Sequence, residues 1–334
     1  MYREINENIT IGDLIKSGAY GEFADYIFTD MTEDHFYNAL KNYGYEAVGF
    51  EKALHRMEDL AQTGRSYVYQ VYDEETCLAN YDKARVKLLH FPGPRANAPY
   101  ALVIPGGGLN RQWGLIEGQA IAARLNELGY TAFVLYYRVK QEPVMAKAVE
   151  DMYAAIKFIE ANAAKFEVEP GNYFIGGFSA GAIIAQEIGS KNLGYHVYDV
   201  PRPKMIFLGY TAIKYKEMYE IWDSLEDGSA AKNGMAVFLK KMGGPDFTLE
   251  DLLPYNLADH IDGSYPPCYI VANMDDTTVD PTNSVALDGL LSELGVEHIT
   301  KIGQTGGHSF GLGIGLEVGG WLDEAVALFE AQLS

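Results

Sequence analysis

Hydrophobic and polar positions follow a helical period at the start of the chain and a strand period soon after. Thr32 is placed to cap a helix in which Phe36, Leu40 and Tyr43 recur at i, i+4 and i+7. Phe50, Leu54, Met57 and Ala61 continue one apolar stripe, and Gly64 suits the residue after a helix C-terminus. This predicts a helical appendage over residues 1–64 that packs on, or covers, the rest of the molecule. From Ser66 the period becomes two. Tyr67–Tyr72 and Val86–Phe91 read as strands.

Strands and helices then rotate. Tyr100–Ile104, Thr131–Tyr137, Asn172–Ile175, Met205–Leu208, Cys268–Ala272 and His298–Ile302 are short apolar runs. Helical patterns lie between and after them at Glu117–Leu128, from Pro143 through Met145, Ala148, Met152, Ile156 and Ile159, at Ala180–Ile188, at Val285–Leu294 and at Trp321–Leu333. Strands this apolar, alternating with helices, predict an α/β domain over residues 65–334. Its mostly parallel sheet is covered by helices on both faces. Residues 210–263 break the rotation and read as an insertion over one end of the sheet.

Charge narrows the partners. Against 46 Asp and Glu stand 26 Lys and Arg, a net charge of −20 over 334 residues, which opposes unaided binding to nucleic acid or to anionic membranes. Two cysteines, Cys77 and Cys268, are too few for a disulfide framework or a structural zinc site and read as isolated buried thiols. No run of eighteen apolar residues and no signal-like N-terminal stretch occurs, so a cytoplasmic chain is expected.

One motif carries chemistry. Gly177-Phe178-Ser179-Ala180-Gly181 follows the strand Tyr173-Phe174-Ile175 and opens a helix, the strand–turn–helix setting of a G-x-S-x-G nucleophile elbow. Such a turn is strained, and glycines on either side of the serine remove side chains that would clash. A nucleophilic serine needs a base, and the base needs an orienting carboxylate, in the chain order Ser, Asp or Glu, His. Asp275, Asp276 and Asp280 follow the strand ending at Ala272, and His308 follows the strand ending at Ile302. Asp276 is favoured among the acids. The other two suit turn chemistry.

The remaining histidines, His35, His55, His90, His196, His260 and His298, sit in worse places and read as structural or surface groups. The glycine-rich run Ile104-Pro105-Gly106-Gly107-Gly108-Leu109 can supply the second half of an oxyanion hole, completing the N–H of Ala180. It lacks the Gly-Lys-Ser/Thr of a phosphate loop. Ser229-Ala230-Ala231-Lys232 matches S-x-x-K by coincidence, because its partner motifs S-D-N and K-T-G are missing.

The runs Pro105-Gly106-Gly107-Gly108, Glu117-Gly118, Tyr137-Arg138-Val139, Gly176 to Gly181, Asp276-Thr277-Thr278-Val279 and Gly306 to Gly311 resemble those of α/β-hydrolase esterases. They are most similar to bacterial acetyl-xylan and feruloyl-type carbohydrate esterases, over roughly residues 85–334. The resemblance implies an α/β-hydrolase fold, Ser179 as nucleophile, His308 as base and Asp276 in D-x-x-V as its acid. It also implies oxyanion donors at Gly107, Gly108 and Ala180, and a structural pair Arg138–Asp151. Pro105 stands where lipase-like relatives carry His, which points to the carbohydrate-esterase branch, and Ala182 replaces a third glycine.

Together these features predict a serine carboxylester hydrolase for short, acetyl-like esters, acylated sugars included, that needs no cofactor or metal. Leu109 and Trp113 are the expected substrate contacts. Two rival readings stand: a peptidase of the prolyl-oligopeptidase type, for which sixty helical residues are too few to gate the site, and a ligand-binding hydrolase-fold protein without activity. The second would normally have lost a triad member.

Overall fold

The computed structural model describes residues 2, 5–28, 33–36, 38 and 47–333. Thr32, Leu40 and Tyr43, the anticipated start of an N-terminal helix, lie outside them. Eight strands form one sheet: β1 (Val68–Gln70), β2 (Lys87–Phe91), β3 (Ala98–Ile104), β4 (Thr131–Tyr136), β5 (Val168–Phe178), β6 (Met205–Gly209), β7 (Cys268–Asn273) and β8 (His298–Gly303). Their order across the sheet is β1-β2-β4-β3-β5-β6-β7-β8. Only β1 and β2 run antiparallel to their neighbours; β4, β3, β5, β6, β7 and β8 are mutually parallel.

The strands are apolar on both sides because both sides are covered. One face buries Leu102, Ile104, Phe133, Tyr173, Ile175 and Ile206 against the helices Met145–Ala161, Ala180–Gln186 and Thr282–Glu293. The other buries Phe91, Ala101, Val103, Val134, Phe174 and Phe207 against Ala47–Gln62, Ala120–Glu127 and Trp321–Ala331. Between β6 and β7, helices Tyr215–Ser224, Ala230–Gly243 and Leu249–Leu252 pack through Tyr215, Leu239, Met242 and Leu252 into the first face.

The N-terminal segment belongs to the second face. Ile11, Leu14, Phe23, Ile27, Phe36, Leu54 and Met57 are buried in the same cluster as the sheet residues. Glu22 accepts hydrogen bonds from the backbone N–H groups of Tyr67 and Val68 and so ties this segment to edge strand β1. Tyr26 C=O accepts from Gln119 Nε2 at 3.1 Å and from Tyr136 Oη at 3.2 Å.

Local departures from the sequence reading have simple causes. The strand expected at Tyr67–Tyr72 is paired only over Val68–Gln70, and a short helix, Glu74–Ala79, follows at once, capped by Asp73. The helix expected at Glu117–Leu128 begins with a π-turn, Leu115–Gln119, before the α-helical Ala120–Glu127. A π-turn inserts a residue without changing which positions are apolar, so periodicity does not reveal it. Cys268 is buried, and burial pushes its thiol well up; Cys77 is only half-buried.

Candidate active site

Parallel strands deliver their following loops to one edge. Adjacent strands β3 and β5, where the chain order reverses, carry the glycine-rich loop and Ser179, while β7 and β8 carry Asp276 and His308. This is the edge at which open α/β sheets place their chemistry.

The elbow is strained, as expected. Ser179 has φ 51° and ψ −123°, in a region side chains rarely occupy. It is held there by its N–H, which donates to Gly209 C=O at 2.9 Å, and by its C=O, which accepts from Ile183 N–H at 3.1 Å. The flanking glycines are sterically required. A Cβ on Gly177 would lie 2.4 Å from Gly181 C=O, and one on Gly181 would lie 2.0 Å from Ile104 C=O.

Ser179, His308 and Asp276 meet. The Ser179 hydroxyl lies 3.0 Å from His308 Nε2, in position to donate to it, and His308 Nδ1 lies 2.7 Å from Asp276 Oδ2. Asp276 is fixed in turn by the N–H groups of Thr278 and Val279, which donate to its Oδ1 at 2.8 and 3.0 Å. The Asp276 side chain is 1% exposed and that of His308 14%, so the pair is shielded without being sealed.

Its neighbours act elsewhere. Asp275 accepts from Gly306 and Gly307 N–H at 3.1 and 2.8 Å, and these contacts hold its carboxyl below the usual range. Asp280 accepts from Thr282 N–H at the start of the next helix.

The glycine-rich loop runs beside the elbow, where a Cβ on Gly106 would lie 2.5 Å from Phe178 C=O and 2.9 Å from Ser179 Cβ. Gly107 has φ 123° and Gly108 φ 61°, values that favour glycine. A Cβ on Gly107 would meet Arg111 C=O at 2.3 Å. Among the described residues, the N–H groups of Gly107, Gly108 and Ala180 donate to no protein acceptor. Gly106 N–H is occupied, donating to Glu117 Oε2 at 2.8 Å.

In the sequence Glu117 opens a helical pattern and belongs to one of the resembling runs, with nothing local to mark a role. It is wholly buried, and its other oxygen accepts from the Tyr210 hydroxyl at 2.7 Å. The Tyr210 ring packs 4.6 Å from the His308 ring. Burial pushes the Glu117 carboxyl up, against the opposing influence of Tyr210, His308, Gly106 and Ser309. No local motif marks such a group, because its partners are scattered along the chain.

Of the expected substrate contacts, Leu109 is fully buried in the first apolar face, and Trp113 packs 5.0 Å from Phe28 of the N-terminal segment. Ser229 caps the helix Ala230–Gly243, and Lys232 pairs with Asp227 at 2.8 Å, which accounts for that S-x-x-K match structurally. His90 is buried among Tyr69, Phe133 and Phe166, and burial pushes its pKa down to about 3. Arg138 and Asp151 form a bidentate pair with contacts of 2.7–3.0 Å.

Among the described residues there is no group of three or more His, Cys, Asp or Glu able to hold a metal ion, and no helix long and apolar enough to cross a membrane.

The chain is similar in sequence or fold to several known proteins. Endo-1,4-beta-xylanase B of Butyrivibrio fibrisolvens is 27% identical over 206 residues, or 58% of this chain, and the chain spans 29% of that protein's length. The crystal structure of an acetyl ester-xyloside bifunctional hydrolase from Caldicellulosiruptor lactoaceticus superposes with a TM-score of 0.64 at 22% identity, covering 80% of this chain and 96% of that one. Esterase B from Lactobacillus rhamnosis superposes with a TM-score of 0.58 at 18% identity, covering 86% and 98%. These likenesses establish the α/β-hydrolase fold. A family model described as BD-FAE matches residues 89–291, well over half of the sequence and all the strands from β3 to β7, and the chain belongs to the BD-FAE family.

Proposed function

We propose that this chain is a serine carboxylester hydrolase that removes short acyl groups, acetyl first, from carbohydrate or simple alcohol esters. The hydrogen-bonded line Ser179–His308–Asp276 carries the reading, because it is the arrangement that makes an alcohol oxygen nucleophilic. The Asp276 carboxylate accepts the Nδ1 proton of His308, which fixes the tautomer and leaves Nε2 free to take the Ser179 proton as the oxygen attacks the ester carbonyl.

Negative charge on the tetrahedral intermediate meets the N–H groups of Gly107, Gly108 and Ala180, a reading supported by their lack of a protein acceptor among the described residues. His308 returns the proton to the leaving alkoxide. It then activates a water that frees the acid from the acyl-serine. Leu109 and Trp113 are covered, so in this reading they limit the size of the acyl group. The acylated-sugar substrate class is supported by relatives whose names include xylanase, acetyl ester-xyloside hydrolase and carbohydrate esterase.

The wild-type protein is expected to hydrolyse p-nitrophenyl acetate faster than longer-chain esters. Ser179→Ala should lower kcat by a factor on the order of 10⁶. Undiminished turnover in that variant would refute the assignment.

A further inference from the structure

We propose that Glu117 is a positioning residue for the reaction proposed above. It ties the oxyanion-binding loop to the loop that carries the base, so that the N–H groups and the imidazole meet one intermediate in fixed register. The inference rests on the esterase reading of the site and adds to it a residue that never touches substrate, since Glu117 is 0% exposed.

Local structure explains why this carboxylate reaches so far. The π-turn Leu115–Gln119 is pressed onto the sheet: a Cβ on Gly118 would lie 2.6 Å from Val134 Cγ1, and one on Gly114 would clash with the Tyr136 hydroxyl. From that turn Glu117 extends beneath the active-site edge and divides its two oxygens. Oε2 takes Gly106 N–H, while Gly106 C=O accepts from Trp113 N–H at 2.9 Å, so the peptide groups entering the oxyanion loop are clamped on both sides. Gly106 leaves no slack, because a Cβ there would stand 2.7 Å from Glu117 Oε2 and 2.9 Å from Ser179 Cβ.

Oε1 takes the Tyr210 hydroxyl. Tyr210 itself follows β6 at φ 41°, with its N–H donating to Val271 C=O at 2.8 Å, and its ring lies between Phe310 at 4.8 Å and His308 at 4.6 Å. One buried carboxyl group thus joins the loop after β3 to the ring that supports the loop after β8. An apolar side chain of the same size would leave Gly106 N–H without this acceptor in the interior and would remove the hydrogen bond to the Tyr210 hydroxyl, which disfavours it.

The test compares Glu117→Ala, Glu117→Gln and Tyr210→Phe with wild type on p-nitrophenyl acetate. Alongside turnover, the affinity for an alkylboronic acid is measured, since the boronate forms a tetrahedral adduct on the serine. Glu117→Ala should lower kcat about 10²-fold, as a displacement of about 1 Å can, with KM within about threefold of wild type. Boronate affinity should fall in step with kcat. Glu117→Gln, which keeps one acceptor, should recover part of the loss, and Tyr210→Phe should cost about tenfold.

Folded variants with wild-type kcat would overturn the proposal, as would a rise in KM at unchanged kcat, or a fall in kcat without a fall in boronate affinity. Should Glu117→Ala not fold, Tyr210→Phe decides alone, since it removes one hydrogen bond and keeps the ring. Fluorophosphonate labelling of wild type at Ser179 reports on the esterase reading separately. Its absence would refute that reading and this proposal with it.

Discussion

Asp275 and Asp276 are adjacent in sequence and serve different ends of one loop system. Asp276 takes the His308 ring; Asp275 takes the backbone N–H groups of Gly306 and Gly307, the pair immediately before His308, and so shapes the segment from which His308 projects. Asp276→Asn replaces an acceptor with an amide that can donate to Nδ1 and stabilise the wrong tautomer, so kcat should fall about 10⁴-fold with the fold intact. Asp275→Asn keeps one acceptor oxygen and leaves the tautomer alone. Its loss in kcat should be far smaller, and steady-state kinetics on the two variants side by side checks the division.

Glu187 offers a test unrelated to catalysis. It is wholly buried at the end of the helix that follows Ser179. Its carboxyl oxygens make no hydrogen bond among the described residues, and burial pushes its pKa from 4.5 up to about 8. In the unfolded chain the group ionises near 4.5, while in the folded chain it holds its proton to about 8, so stability falls as pH rises between those values and then levels. Glu187→Gln removes that slope. Thermal unfolding should show the variant gaining on wild type more at pH 8 than at pH 5.

At the scale of elements, the elbow and its neighbouring strand are fitted without clearance. Gly181→Ala sets a methyl group 2.0 Å from Ile104 C=O, against backbone that cannot yield. A loss of at least about 3 kcal/mol in chemical denaturation is expected. Arg138, just past β4, and Asp151, on the helix Met145–Ala161, make a second fixed joint, to which the Tyr72 hydroxyl adds a 2.7 Å hydrogen bond. Asp151→Ala would leave the buried Arg138 guanidinium with only Glu150 and Lys147 C=O as partners and cost about 3 kcal/mol.

These elements also show what a sequence can and cannot reveal. The parallel sheet was legible because strands such as Phe133–Leu135 and Ile270–Ala272 are apolar on both sides, which only a doubly covered sheet requires. The meeting of Ser179, an aspartate after β7 and His308 on one edge was legible from the elbow motif and the strand ends, while D-x-x-V in the resemblance pointed to Asp276 among the three aspartates there. Glu117 was not, because its three partners, Gly106, Tyr210 and the His308 loop, are joined only through the sheet. The π-turn that aims it leaves no trace in the apolar pattern.

Over the whole molecule, the N-terminal segment is the part least foreseen in its placement. Its helical stripe was visible, but not the surface it would meet. Residues such as Phe23, Leu54 and Met57 complete the cluster over Phe91, Ala101 and Val103, and Arg56 donates to Asn126 at 2.8 Å and to Pro92 C=O at 2.6 Å. A protein lacking residues 1–64 would expose that face to water. It should aggregate or bind a hydrophobic dye rather than persist as a folded, active core, and light scattering with dye binding would show which.

The same cluster joins Ile11 and Leu14 to Trp321, Val326 and Phe329, some three hundred residues further along the polypeptide. A ribosome making this protein therefore releases the first of these groups some three hundred residues before their last companions emerge. Until then one side of the nascent sheet has no complete cover, so this face cannot close before the helix Trp321–Ala331 has been made. Chaperones that hold exposed apolar surface have their longest opportunity in that interval.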